Sequence, residues 1–319
     1  MDRLALNSGR GLACKEFVQR VYFYTPTIKR YQTVEYRNKT YPFFVPVSVT
    51  GKRCLLNCQH CRGILLESMY TATSPAKLYQ LALKLEKEGC QGMLISGGAD
   101  LNGEVPLVRF LSVLARIKKE LGFKIAVHTG LVSQKLADGL AEAGVDVAMI
   151  DIIGDDETIR KVYHLDASVE DYECSLKYLV ERGVKTSPHV VIGLHYGRLV
   201  GEEHALRIIS RYKIASLVLV VLNPLSNTPM ANVTPPSPHK VYNIFLQARM
   251  MFPEVPILLG CARPGGRYRL IIDKYALQAG LNGIAYPAEG VVSYAKKMGL
   301  ESTFSEWCCS LIFEEFKEV

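Results

Sequence analysis

Long apolar runs are missing from this chain. The longest unbroken one, Leu217 to Leu222, is far too short to cross a bilayer, which takes about 20 residues. The N-terminus also lacks the apolar stretch of a signal peptide. A cytoplasmic protein with no membrane partner is expected. No dense Lys/Arg block and no interleaved basic and aromatic pattern occurs, which argues against a nucleic-acid groove despite a formal charge of +7. That charge suits an acidic protein partner without requiring one. Low-complexity segments are absent, and Trp occurs once, at position 307. Cysteine, by contrast, occurs nine times. A reducing compartment disfavours a disulfide framework, so metal binding is the reading where cysteines cluster.

With 319 residues and 49% hydrophobic content the chain can bury one large core. Residues 1–43, Tyr-rich and without sustained period, are expected to form an arm wrapped on the main body. Beyond them, strand-length apolar segments alternate with amphipathic helical ones, the pattern of β/α units feeding a parallel sheet. The strand candidates are 44–49, 93–96, 124–128, 145–150, 186–192, 216–222, 256–259 and 283–286, and eight such strands close a barrel. The fold class is therefore α/β, with a barrel core over 44–299 and a tail over 300–319. Helix starts are legible at Ser74-Pro75, at Ser168 with Asp171 three residues on, and at Ser237-Pro238. The apolar stripes that follow them, such as Leu78, Leu81, Ala82 and Leu85, belong to the core.

The segment VSVTGKRCLLNCQHC places Cys54, Cys58 and Cys61 in a loop directly after the first barrel strand. Three thiolates so spaced can take three corners of a 4Fe-4S cubane and leave one iron without a protein ligand. Structural zinc would need a fourth Cys or His and prefers paired C-x2-C knuckles, and His60, lying between two of the cysteines, does not easily join them.

This C-x3-C-x-(aromatic)-C pattern, with His60 at the aromatic position, resembles that of the radical S-adenosylmethionine (SAM) superfamily. The resemblance implies a radical SAM type (β/α) barrel and a 4Fe-4S cluster whose open iron binds SAM. It also implies reductive cleavage of SAM to a 5′-deoxyadenosyl radical that abstracts hydrogen. Further positions follow from the same resemblance. Gly97 and Gly98 resemble the turn that meets the SAM amino group, with Ala99 and Asp100 where a Glu is common. Asp151, after the fourth barrel strand, resembles the ribose-binding position, although a strand-end Asp can also cap a helix, a role for which Asp155 and Asp156 compete. Gly193 resembles the glycine beside the adenine; its usual acidic companion is absent, and His195 and Tyr196 stand near. Asn223 ends the sixth strand as a further cofactor contact. His128, His164 and His189 read as isolated histidines, with His128 at the rim.

Within the superfamily, AGLNGIAYPAEGVVSYAKKM resembles the closing segment of the biotin-synthase-like branch. The arm with Tyr31-Gln32-Thr33, SGGADLNGEVP, DIIGDDETI and the final WCCS resemble a component of the two-protein lipoyl synthases. That implies sulfur insertion into an octanoyl chain on a lipoyl domain or an H-type carrier protein, together with a second related radical SAM protein and an electron donor. Sulfur insertion implies a second cluster as donor, for which Cys261, Cys308, Cys309 and Cys14 are the expected ligands, while Cys90 and Cys174 are assigned to packing. In biotin synthase, cysteines on interior strands hold the donor cluster, and the matching third- and fifth-strand positions here carry none. The alternatives are another enzyme of the same branch, such as a carbon-skeleton mutase or a cofactor maturase, and a non-catalytic iron–sulfur or zinc protein.

Overall fold

The alternation of apolar runs and capped helices is realised as an eleven-stranded, wholly parallel sheet in this computed structural model, which describes residues 19–316. The strands are β1 Arg20–Tyr24, β2 Phe44–Ser48, β3 Tyr70–Thr71, β4 Gly92–Ser96, β5 Lys124–His128 and β6 Val147–Asp151. They continue as β7 Thr186–Ile192, β8 Leu217–Val221, β9 Ile257–Leu259, β10 Gly283–Ala285 and β11 Glu301–Ser305. Helices α1 Pro75–Lys87, α2 Leu111–Leu121, α3 Gln134–Ala143, α4 Asp156–Thr158 and α5 Val169–Glu181 cover one part of the outer face. Helices α6 Glu202–Ile209, α7 Pro238–Met251, α8 Gly266–Gln278 and α9 Val291–Lys297 cover the rest. Each expected strand matches one of β2 and β4 to β10 within about two residues, the usual uncertainty of a boundary.

Local chemistry explains the helix starts. Ser74 accepts a bond from the Lys77 N–H ahead of Pro75, and Ser168 and Asp171 form a reciprocal capping box at α5. Leu78, Ala82 and Leu85 of α1 are buried, as their spacing requires, while Leu81 is only partly so.

Two expectations are corrected. The eight strands do not close: the order β11-β1-β10-β9-β8-β7-β6-β5-β4-β2-β3 describes a curled half-barrel with β11 and β3 at its edges. The arm does not simply wrap the body, because β1 is inserted into the sheet and pairs in parallel with both β10 and β11. The open side is bridged by side chains. Thr27 Oγ1 donates to the Phe44 carbonyl at 3.1 Å and accepts from the Phe43 and Phe44 N–H groups at 2.8 and 2.9 Å, satisfying the edge of β2. Trp307 packs edge-on against Phe43 with ring centroids 4.7 Å apart. Nearby, Glu306 accepts from the Tyr36 hydroxyl and the Lys39 N–H, both at 2.9 Å.

The tail carries the 3-10 helix Cys309–Phe316, which fills the lower barrel at the N-terminal ends of the strands. Ile312 packs among Tyr22, Val218, Leu258 and Ala285, and Leu311 joins Phe44, Ala126, Val147 and Met149. Polar contacts fix its height: Lys124 pairs with Glu314, and Ser216 Oγ donates to the Ser310 carbonyl at 3.2 Å.

The plug makes a quantitative prediction. Ile312 is fully buried among several strands, so Ile312→Ala removes transfer energy and leaves a cavity. Urea unfolding should show a loss of about 2–5 kcal/mol. A loss near zero would mean that the tail is not part of the cooperative core.

Candidate functional site

The three cysteines of the loop after β2 are free thiols, with Cys58 buried and Cys54 and Cys61 partly so. Asn57 and Arg62 turn this loop with φ of 49° and 45°, a conformation that non-glycine residues adopt rarely and that is concentrated at functional sites. Neighbouring loops clamp it on both sides. From the β4 side, the Gly98 N–H donates to Thr50 Oγ1 at 2.7 Å, and the Leu55 N–H to the Ala99 carbonyl at 2.9 Å. From the β6 side, the Gln59 N–H donates to the Val162 carbonyl at 2.8 Å, next to a single π-helical turn, Ile159–Tyr163. Gly98 is required here, because a Cβ would lie 2.0 Å from the Arg53 carbonyl oxygen and 2.5 Å from Cys54 Cα. Asp100 turns away from the cysteines and accepts from the Asn102 and Glu104 N–H groups.

Ligand atoms of Cys58, His60 and Cys61 lie within 4.8 Å of one another. Cys54 falls outside that group but is near enough to oppose charge on Cys58. Its neighbour Cys58 first, and then His60, bring the Cys61 pKa down to about 4 against the effect of burial. Thiolate character is what metal ligation needs. His60 therefore joins the cysteines in space, contrary to the sequence expectation. A Cys3His set is competent for zinc as well as for iron, so ligand count alone does not choose between them. The donor set fits a 4Fe-4S cluster through three free thiols in one clamped loop, and buried His60 Nδ1 has no hydrogen-bond partner among the described residues.

Above the plug, the barrel interior holds a polar chamber. His128 Nε2 stands 3.6 Å from Asp151 Oδ1, and Tyr163 donates to Asp151 Oδ2 at 3.3 Å. His189 meets His128 edge-on at 5.5 Å, so these two histidines are partners and not isolated. His164 bonds Gln59 and the Leu56 carbonyl, which ties it to the cysteine loop. The His128 and Asp151 side chains remain 32% and 27% exposed although they point into the centre of the barrel, which shows that the chamber is open to solvent. Burial opposes ionisation of Asp151, but the hydrogen bond and charge of His128, with His189 and His60 beyond, bring its pKa down to about 2. Burial likewise opposes protonation of His128, and Asp151 outweighs it and raises the pKa above the usual value. His189 is pushed down to about 4 by burial and then by His128.

Asp151 does not cap a helix; Asp155 accepts from the Thr158 N–H at 2.7 Å and takes that role. A cleft at the ends of β6 and β7 is lined by Asp151, Gly154, Leu194 and Glu202, and Gly193 precedes Leu194 in the chain. Gly193 has φ of 85°, and a Cβ there would meet Pro236 Cγ at 2.3 Å. Its N–H donates to Glu202 Oε1 at 2.7 Å. The acidic companion missing from the local sequence is thus supplied nine residues on by α6, and no signal short of the fold could have placed it. Asn223 is half-buried after β8.

The remaining cysteines divide. Cys261 is exposed at the rim after β9, Cys308 is buried beside Met149, and Cys309 is half-buried. Cys308 and Cys309 are adjacent at the start of the tail helix, in the floor of the chamber, and Cys261 lies within electrostatic reach of Cys309. Cys14 lies outside the described residues. Cys90 is buried and donates to the Gly92 carbonyl at 3.2 Å, as assigned to packing, but Cys174 is exposed on α5, outside the core.

The Asp151–His128 pair has a signed pH dependence. The lowered Asp151 pKa contributes stability above about pH 4 that is lost as pH falls through 2, and the raised His128 pKa contributes stability below about pH 6.5 that is lost as pH rises through its folded value. Asp151→Asn should therefore lower the melting temperature more at about pH 5.5 than at an alkaline pH above the folded pKa of His128, where the imidazole is neutral in both states. An equal loss at both values would show that the pair carries no charge.

Comparison with known proteins agrees with this geometry. The Radical SAM superfamily model matches residues 48–211, just over half of the chain, from β2 to the end of α6. Among curated proteins, the chain is 26% identical over 241 residues to a biotin synthase of Geotalea daltonii, covering 71% of this chain and 69% of that protein. A biotin synthase of Clostridioides difficile is 24% identical over 243 residues, with 72% and 70% covered. Among solved structures, the FeFe-hydrogenase maturase HydG from Carboxydothermus hydrogenoformans superposes with a TM-score of 0.66 at 16% identity over 99% of this chain and 74% of that one. Methylornithine synthase (PylB) gives 0.61 at 16% identity, with 98% and 90% covered. These two likenesses establish the barrel fold. The clamped cysteine loop, the half-barrel that carries it and the family match lead to one conclusion: the chain belongs to the Radical SAM superfamily.

Proposed function

We propose that this radical SAM enzyme inserts sulfur into an octanoyl chain on a carrier protein, as one component of a two-protein lipoyl synthase. The observation that carries the reading is the arrangement of cysteines about the open chamber, with Cys308 and Cys309 in its floor and Cys261 at its rim. A 4Fe-4S cluster with SAM, when bound, supplies the hydrogen-abstracting chemistry. The chain's own residues do the rest. Cys54, Cys58 and Cys61 hold the cluster as thiolates. Ionised Asp151 offers acceptors to ribose hydroxyls at the mouth of the cleft, while Tyr163, its pKa raised by burial and then by Asp151, stays a neutral donor. Gly97, Gly98 and Gly193 keep backbone close to the cofactor, and Asn223 lies on the same rim. Cys261, Cys308 and Cys309, with Cys14 as the fourth ligand, would hold a second cluster that supplies the sulfur. The partners are an octanoylated lipoyl domain or H-type carrier, a second related radical SAM protein and an electron donor.

One observation favours a mutase or maturase of the same branch. Cys308 is packed among Phe44, Ala126 and Met149, as a small apolar core residue would be.

Two experiments test these readings, the first addressing the cluster that both share and the second the sulfur insertion that divides them. Replacing Cys54, Cys58 or Cys61 by Ala should abolish 5′-deoxyadenosine formation in the anaerobically reconstituted protein, and wild-type formation in any one variant would remove that residue from the cluster. The Cys308→Ala/Cys309→Ala double variant should hold about half the iron, still cleave SAM and release acyl product without sulfur, each 4Fe-4S cluster accounting for one share of the metal. Full iron content with intact sulfur insertion would place the donor elsewhere, and a wild-type product free of C–S bonds would favour the mutase or maturase.

A further inference from the structure

The loop between β1 and β2 lines a cavity of about 270 Å³ at the unclosed seam of the sheet, bounded across the gap by Tyr70 of β3 and reaching down to Val45 of β2. Four cations stand in its wall, Lys29, Arg30, Arg37 and Lys39, and no carboxylate does. All four are exposed, and none forms an ion pair with a described residue. The two carboxylates that this loop carries or contacts are spent elsewhere. Glu35 accepts from the Gly290 and Ser293 N–H groups at 2.9 and 3.1 Å, and buried Glu306 accepts from the Tyr36 hydroxyl and the Lys39 N–H.

The cations stand on a frame that is fixed without them. Gln32 and Arg37 form an antiparallel bridge, and the Tyr36 ring stacks on Phe304 of β11 with centroids 4.0 Å apart and planes 7° from parallel. Buried Asn38 donates through Nδ2 to the Thr25 and Lys29 carbonyls at 3.3 and 2.9 Å, and the Tyr31 hydroxyl donates to the Pro287 carbonyl at 2.8 Å. A concave, uncompensated positive surface is thus presented in one shape.

The chemistry of the cavity selects among anions. A single phosphate or sulfate needs several donors converging on one point. Thr27 and Asn38 have spent theirs on backbone carbonyls. What remains is a row of exposed cations spread from position 29 to position 39, with the Tyr41 and Tyr70 hydroxyls, which bond no described residue. Such a row suits carboxylates repeated along an extended chain, and Tyr and Arg are the residues that protein interfaces favour. Nucleic acid would seek bare aromatic faces on which to stack its bases. Here Tyr31 packs 6.0 Å from the Tyr286 ring, and Lys39 Nζ already lies over Tyr41 and Phe43, at 5.5 and 3.7 Å from their centroids. A bilayer is too flat to enter a concave seam. A second copy of the chain carries the same charge of +7, and residues 1–18 hold three cations against two acidic groups, so neither supplies the anion.

We propose that the seam cavity is the docking site for an extended acidic segment of a partner protein, whose carboxylates pair with Arg30, Arg37 and Lys39. The site stands whichever reaction the chamber performs, and it brings the partner to the one side of the barrel that no strand closes.

Fluorescence anisotropy of a labelled peptide of alternating Asp, Glu and Gly tests the site on the anaerobically reconstituted protein without reference to turnover. The protein should bind it saturably, bind the matched Asn, Gln and Gly peptide at least about tenfold more weakly, and lose affinity as salt rises. The Arg30→Gln/Arg37→Gln/Lys39→Gln variant should weaken binding by about tenfold, the scale of three exposed ion pairs lost together. Removing the same net charge from α1, α5 and α6, in Lys84→Gln/Lys177→Gln/Arg207→Gln, should leave the affinity unchanged. All six side chains are exposed, and equal melting temperatures would confirm that both variants fold. Equal weakening in the two variants would reduce the effect to net charge and overturn the proposal, as would an acidic peptide that fails to bind the wild type. Displacement of the peptide by an equal concentration of inorganic phosphate would make the cavity a small-oxyanion pocket instead. Tighter binding of single-stranded DNA or of anionic lipid vesicles, lost in the same seam variant, would assign the surface to those partners and reject a protein segment.

Discussion

A parallel sheet that curls through eleven strands without closing has an interior too wide for its own side chains to fill, and an unfilled apolar hollow is destabilising because protein interiors pack close to crystal density. Here the C-terminal 3-10 helix fills the lower half, and the rest of the structure follows from that division. Below the plug surface the barrel is an ordinary core of Ile312, Leu311, Val218 and Leu258. Above it, space is left for polar groups that a packed core would not tolerate unpaired. The chamber is therefore defined as much by the height at which the tail stops as by the strands. That height is fixed by Ser216 on Ser310 and Lys124 on Glu314.

The upper half is held open by charge. Asp151 can remain ionised because His128, His189 and Tyr163 surround it, and His128 remains basic because of Asp151. Each group is expensive to bury alone, and the set is tolerable because its members satisfy one another and water still reaches them. The cysteine loop rests on a different device. Its shape depends on backbone contacts to the β4 and β6 loops, with Gly98 making room for Cys54. The two halves of the site meet at the π-helical turn, whose Tyr163 touches Asp151 through its hydroxyl and the His60 ring at 5.2 Å.

Legibility in the sequence followed the range of the interactions. Strands β2 and β4 to β10 and the starts of α1, α5 and α7 were readable because alternation, Ser-Pro pairs and a Ser-x-x-Asp box act within a few residues. The cysteine triplet was readable for the same reason. β1 was not, because only its distant partners β10 and β11 make Arg20–Tyr24 a strand. The pairing of Gly193 with Glu202 escaped because a helix start, not a motif spacing, delivers the carboxylate. His128 and His189 looked solitary because they sit on strands separated by β6, and only the register Asp151 to His189 brings them together. Cys174 was misassigned to packing because helix periodicity alone does not show which face of α5 the sheet covers.

The insertion of β1 between β10 and β11 has a consequence for how the protein is made. Tyr22 pairs with Gly283 and Thr303, partners that leave the ribosome some 260 residues later. At about 5–20 residues per second, the interval is on the order of ten seconds to a minute. During that time Val21, Tyr22, Phe23 and Tyr24, all buried in the finished sheet, have no neighbour to cover them. The β2–β4–β5 region, with its cysteine loop, can assemble first from local β/α units, while the arm waits as an uncovered strand and the barrel floor stays open until the tail arrives. The newborn chain thus presents a finished cysteine loop above a hollow barrel, and synthesis of Cys309–Phe316 is what seals the compartment from below.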